Sequence, residues 1–239
     1  MGMPVSVEVE GSGARTSIER VFEYFAYVDA TFSTYKPDSE ISRINRGEIA
    51  PHAYSADMRE IFRLAEETKR ETHGFFDIRT PQGAYDPSGI VKGWAIKNAA
   101  DLLRSRGCGH FYLDVGGDIQ TDGANAAGAE WTIGIRNPLD RNEIAKIIRP
   151  RGAGVATSGT AARGSHIYDP HQKRAVETDV ASLTVIGPNV YEADRFATAA
   201  FAMGRRGIEF LEGVPGLEAY EIDTRGMARM TSGFGAYVC

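Results

Sequence analysis

Sulfur chemistry has little to work with in this sequence. Two cysteines, Cys108 and Cys239, stand among 239 residues, too few for a disulfide framework or a zinc-binding set. No stretch approaches eighteen consecutive apolar residues, so no membrane-spanning helix is expected. The first residues, MGMPVSVEVEG, lack the basic segment and long apolar run of a signal peptide, and a cytoplasmic location is the expectation that follows. Excess positive charge is missing too: 27 Lys and Arg face 32 Asp and Glu, for a net charge of -5, and no basic block stands out. A nucleic-acid backbone is therefore excluded as the main partner, and any anionic ligand must be met by a few placed groups. Repeats, low-complexity tracts and Pro/Ser linkers are absent, so residues 1–239 are expected to form one domain. What is present is 42% apolar residues, ample for a buried core.

Periodicity supplies the elements. Val5, Val7 and Val9 alternate as in a strand. Ile18, Val21, Phe22, Phe25, Val28 and Phe32 recur at three- and four-residue spacings, which predicts an amphipathic helix on a sheet. A second helix is predicted from an N-cap at Ser55 or Asp57, with Met58, Ile61, Leu64, Ala65 and Thr68 inward and a stop at His73-Gly74. A third begins near Gly93 or Trp94 and closes at Gly107; a fourth runs from Glu192 to Met203. Strands are predicted at 110–115, 131–136, 153–157, 165–168 and 181–187, and LEAYEID with GFGAYVC as a terminal pair. The fold class is α+β, with helices packed on a mostly antiparallel sheet.

Four clusters can carry chemistry. In Asp86-Pro87-Ser88-Gly89-Ile90-Val91-Lys92-Gly93, glycines let the backbone approach a ligand ahead of a helix N-terminus, an arrangement suited to an anion; a plain strand-to-helix turn uses the same residues. In Asp114-Val115-Gly116-Gly117-Asp118, paired glycines turn N–H groups toward one point, as a phosphate nest with Gly116, Gly117 and Asp118 requires, or simply close a hairpin. Asp194 and Thr198 lie four apart and share a helix face, a partial oxygen shell for Mg2+ or an N-terminal acid followed by a back-bonded threonine. His166 follows the hydroxyl-rich Ala156-Thr157-Ser158-Gly159 turn, where it serves either as a general base or as a structural histidine.

In this order the pieces resemble the ApbE family, the FAD:protein FMN transferases. FSTYKPDSEISRIN, GFFD, DPSGIVKGWA, VGGDI, WTIGIRNP, VATSG, HIYDP, LTVIGP and ADRFATA carry the resemblance, across residues 1 to about 204. It implies a compact α+β fold, FAD as substrate with Mg2+, and transfer of FMN to a Ser or Thr of a target flavoprotein with release of AMP. It further implies that Asp194, Thr198 and the carbonyl of Gly89 hold the metal, and that Lys92 and Asp86 contact FAD. Met1, Tyr35, the Phe76-Asp77-Ile78 segment and the backbone at Ala181 would add contacts, and His166 would deprotonate the acceptor hydroxyl. Two alternatives stay open: an FAD pyrophosphatase giving FMN and AMP, or a non-catalytic FAD carrier. Arg195 follows the metal aspartate where the family usually has a small residue, and its guanidinium would either repel the metal or supplement it on the phosphates.

Overall fold

Val5, Val7 and Val9 do alternate on one face of a strand, and that strand opens a seven-stranded sheet. The computed structural model describes residues 2–11, 13–140, 142–159 and 168–239. In chain order the elements are β1 (Val5–Val9), α1 (Ala14–Phe32), α2 (Glu40–Asn45), α3 (Ala56–Glu71), α4 (Ser88–Ser105), β2 (Phe111–Val115), β3 (Asp118–Asp122), β4 (Ile133–Arg136) and β5 (Ile144–Ile148). There follow β6 (Gly154–Gly159), β7 (Tyr168–Asp169), β8 (Arg174–Ala175), β9 (Val180–Gly187), α5 (Val190–Ala202), α6 (Gly207–Glu212), β10 (Glu218–Asp223) and β11 (Ala228–Met230). The main sheet runs β1-β2-β3-β6-β9-β10-β11, and each neighbouring pair is antiparallel. The fold is α+β, as the sequence pattern predicts.

Burial explains the layers. On one side, α1, α3 and α4 bury Val21, Phe25, Met58, Ile61 and Trp94 against Phe111, Leu113 and Val115 of β2. Beside them, α5 and α6 pack Phe196, Phe201 and Leu211 on Leu183, Val185 and Ala219. The other face of the sheet, with Ile119, Val155, Ile186 and Ile222, is covered by Ile133, Ile135 and Ile148 of the β4–β5 hairpin and by Phe234. With both faces covered, all eight residues of β9 are buried and the strand loses the alternation of a half-exposed one.

The elements depart from the sequence reading in specific places. α3 begins where its cap predicts: Ser55 accepts the Met58 N–H at 3.1 Å, and all five inward residues are buried. In α1, Phe22 is instead 45% exposed, because Val21 beside it already occupies the inward stripe with Phe25, Val28 and Phe32. α4 starts at Ser88, about five residues before the predicted boundary, so Gly89 and Lys92 sit inside the helix rather than in a turn before it. The partner of β10 is β11, while 234–237 form a short 3-10 helix in place of the expected last strand. β3 and β5 were not foreseen, and the strand predicted at 165–168 falls mostly outside the described residues.

The N-terminus of α5 is fixed by two side chains. Asn189 accepts the Glu192 N–H at 3.1 Å, and buried Gln120 of β3 accepts the Val190 N–H at 2.9 Å. Asn189→Ala is expected to lower stability by about 1 kcal/mol, the ordinary value of such a cap, read as a lower urea midpoint at constant slope.

Candidate active site

Two glycines bring α4 and α5 unusually close. A Cβ on Gly93 would lie 2.7 Å from Asp194 Cβ and 3.0 Å from Tyr191 Cα, and one on Gly89 would lie 3.2 Å from the Phe76 ring and 3.5 Å from Thr198 Cγ2. Gly89 and Gly93 are four apart on one helix, and Asp194 and Thr198 four apart on the other, so a glycine face meets an oxygen-bearing face. The Gly93 N–H donates to Asp194 Oδ2 at 2.8 Å. A regular helix pairs that amide with the Gly89 carbonyl, so Asp194 competes for the donor that Gly89 would use.

Charge gathers at the same crossing. Lys92 Nζ stands 2.6 Å from Asp118 Oδ2 and 3.4 Å from Asp194 Oδ1. Both carboxylates are almost wholly buried, Asp118 at 1% and Asp194 at 3% exposure. Burial pushes the Asp194 carboxyl well above the usual carboxylate range, the Lys92 ammonium pulls it back down, and the neighbouring Asp118 raises it further. Asp118 also accepts the Thr157 N–H at 3.2 Å.

A cavity of about 1,080 Å³ opens over this cluster. Of the residues singled out from sequence, Phe76, Asp77, Ile78, Asp86, Gly89, Lys92, Gly116, Gly117, Ala181, Asp194 and Thr198 line it. The N-terminus of α4 faces the cavity at Ser88 and Gly89, with Asp86 capping it through the Ser88 N–H at 3.1 Å. Asp77 is already engaged, pairing with Lys69 at 2.6 Å and accepting the Arg79 N–H at 2.8 Å. Residues 77–86 fold into a tight hairpin, with the Asp86 N–H on the Ile78 carbonyl and Thr80 N–H on the Ala84 carbonyl. Gly116 and Gly117, both at positive φ, form the two-residue turn between β2 and β3, and the Gly117 N–H is taken by Asp114 Oδ1. The hairpin reading of that cluster is therefore the structural one, although both glycines still face the cavity. Asp118 lies under Lys92 rather than in the turn's concavity.

Two other residues stand elsewhere. Tyr35 follows α1, is 96% exposed and is not part of the cavity wall. Arg195 turns away from Asp194 by one helix step: it pairs with Glu71 and Glu192 and stacks on Phe196 with 4.3 Å to the ring centre. Its guanidinium is thus engaged by its own acidic partners rather than by the Asp194 carboxylate. Met1 and His166 lie outside the described residues.

Sequence reasoning missed several groups in the wall. Buried Ser182 and Thr184 of β9 add hydroxyls to the wall, and Thr184 shares a 2.9 Å hydroxyl–hydroxyl hydrogen bond with Thr157 of the hydroxyl-rich turn already singled out from the sequence. Tyr112 packs at a tilt against Trp131 with ring centres 5.5 Å apart, and burial, with the Asp114 charge, pushes its hydroxyl up to about 12. A legible signal was the even register of Ser182 and Thr184 in an otherwise apolar strand.

As a metal site the crossing has a definite character. Among the described residues no three His, Cys, Asp or Glu side chains form a metal-binding group. The available donors are one carboxylate, one hydroxyl and one carbonyl, hard oxygens too few for a closed protein cage. That set fits Mg2+ completing its shell with water and phosphate oxygens.

Comparison with known proteins shows the family and the fold. The profile of the ApbE family matches residues 1–82 and 79–221. A FAD:protein FMN transferase of Vibrio cholerae is 27% identical over 280 residues, covering 93% of this chain and 81% of that protein. Another, from Salmonella typhimurium, is 31% identical over 166 residues, covering 66% of this chain but 47% of that protein, so the chain matches less than half of its length. The solved structure of the flavin transferase ApbE from Vibrio cholerae superposes with a TM-score of 0.88 at 25% identity, over 99% of this chain and 96% of that one. No helix among the described residues is long and apolar enough to cross a membrane. The chain belongs to the ApbE family.

Proposed function

We propose that this protein transfers FMN from FAD to a Ser or Thr hydroxyl of a target flavoprotein, releasing AMP, and that residues 1–239 act as one flavin transferase domain. The observation that carries the proposal is the crossing of α4 and α5, where Gly89, Lys92, Asp194 and Thr198 face one cavity slightly larger than the ordinary ligand-site range of about 300–1,000 Å³. A dinucleotide has that bulk, and its diphosphate is the anion this cluster suits. The names of the relatives from Vibrio and Salmonella support the same substrate and reaction.

Each residue then has a task. Asp194, Thr198 and the Gly89 carbonyl would hold Mg2+, which when bound neutralises diphosphate charge and favours departure of AMP. Lys92 supplies a second positive charge to the diphosphate. Asp86, Phe76, Asp77, Ile78, Gly116, Gly117 and Ala181 contact and orient FAD along the cavity wall. In the transfer, the acceptor oxygen forms a bond to the FMN phosphorus while the bond from that phosphorus to the bridging oxygen breaks and leaves with AMP. His166 takes the acceptor proton. Asp118 serves this site from beneath, on Lys92.

The test is direct. Incubate the protein with FAD, Mg2+ and a flavoprotein fragment that bears an acceptor Ser or Thr, and read the intact mass. A gain equal to one FMN less one water on the fragment, with AMP in solution, is expected. AMP release that needs no acceptor would point instead to a pyrophosphatase, and FAD binding without AMP to a carrier.

A further inference from the structure

Asp118 has a burial that the diphosphate alone does not explain. It projects from β3 to the helix side of the sheet, is 1% exposed, and spends Oδ1 on the Thr157 N–H and Oδ2 on Lys92. An uncompensated carboxylate at that depth would be costly, so Lys92 is its counter-charge. The same ammonium is also 3.4 Å from Asp194, whose carboxyl lies beside that of Asp118. Two acids thus share one cation, and the longer of the two distances is the one to the carboxylate assigned to the metal.

We propose that Asp118 is a positioning residue, which draws Lys92 off Asp194 and so sets how strongly the FAD-free protein binds a divalent cation at Asp194. The inference rests on the reading of Asp194 as a metal ligand. Lys92 and Mg2+ are competitors for one carboxylate, and Asp118 decides the competition by giving the ammonium another place. Once a diphosphate is present it offers Lys92 a further anionic partner, so metal and FAD are expected to strengthen each other's binding.

Two effects of removing the Asp118 charge weaken cation binding, and they oppose a third, the relief of Asp194 from a like-charged neighbour. In Asp118→Asn, Lys92 has Asp194 as its remaining carboxylate partner of the two, and one negative charge near the metal position is gone, so Mg2+ binds more weakly. A double-mutant cycle separates positioning from plain through-space charge. Titrate MgCl2 into the FAD-free full chain at pH 8 by calorimetry, for the parent, Asp118→Asn, Lys92→Met and the double variant. Asp118→Asn is expected to weaken Mg2+ binding about tenfold, and Lys92→Met to tighten it by about as much. In the Lys92→Met background, Asp118→Asn should cost less than about threefold, because the residue it positions is absent.

Equal losses in both backgrounds would overturn the positioning role, as would an unchanged Mg2+ affinity in Asp118→Asn. If the parent binds no Mg2+ even with FAD present, the reading of Asp194 as a metal ligand falls and the inference falls with it. Thermal unfolding without cation checks that each variant folds. Lys92→Gln, which keeps a hydrogen-bond donor near Asp118, replaces Lys92→Met as the background if the methionine variant does not fold.

Discussion

Asp194→Asn is expected to lower Mg2+-dependent FMN transfer by about a thousandfold while leaving the fold intact. That loss corresponds to about 4 kcal/mol of transition-state stabilisation, a reasonable share for a metal that neutralises a diphosphate. The amide oxygen can still accept the Gly93 N–H that Asp194 Oδ2 accepts at 2.8 Å, so the α4–α5 contact is kept. What disappears is the anionic oxygen that faces Lys92 and the metal position. Folding should hold because the change removes a buried charge rather than creating one, and Lys92 keeps Asp118 as its partner at 2.6 Å. Single-turnover transfer measured across a range of MgCl2 concentrations checks the prediction. A variant whose activity still rises with Mg2+ at the parental midpoint would show that the metal is held elsewhere.

The parts of this site that were legible in the sequence are those with a local cause. α3 could be read because a Ser55 cap and a five-residue stripe lie within one stretch. The Gly116-Gly117 pair could be read as a turn because two positive φ angles are a property of those residues alone. The start of α4 could not be read, because Pro87, Gly89 and Gly93 carry the composition of a turn but are set by a neighbour 101 positions away in sequence. β3 was missed for a related reason: Asp118 and Gln120 break its apolar pattern, and their partners, Lys92 and the Val190 N–H, are visible only once α4 and α5 are packed on the sheet. Arg195 looked like a metal neighbour because adjacency in sequence is close, whereas one step round a helix turns a side chain by about 100° toward Glu71 and Glu192. For the proposed metal donors, the four-residue spacing of Asp194 and Thr198 left a metal shell and common structural uses both open, and the family resemblance favoured the first and added the Gly89 carbonyl.

The glycine face of α4 makes the second large prediction. Gly93→Ala is expected to destabilise the protein by about 1–2 kcal/mol and to weaken Mg2+ binding as well. Alanine is the better helix former by about 1 kcal/mol, so helix propensity alone predicts a gain. Packing opposes it with overpacking costs of about 1–3 kcal/mol. It prevails here because the new Cβ would meet the Asp194 Cβ at 2.7 Å and the Tyr191 backbone at 3.0 Å, atoms that cannot swing aside as a side-chain tip can. The relief available is a shift of α5, which lengthens the Gly93 N–H bond to Asp194 and moves that carboxylate relative to Lys92. Gly89→Ala provides the contrast: its Cβ would meet the Phe76 ring at 3.2 Å, a longer approach and to a side chain rather than to backbone, so its stability cost should be smaller. Urea unfolding of both variants, with MgCl2 calorimetry on each, distinguishes the cases. Were Gly93→Ala as stable as the parent, or more so, the close approach of α4 and α5 would not be what requires glycine at that position.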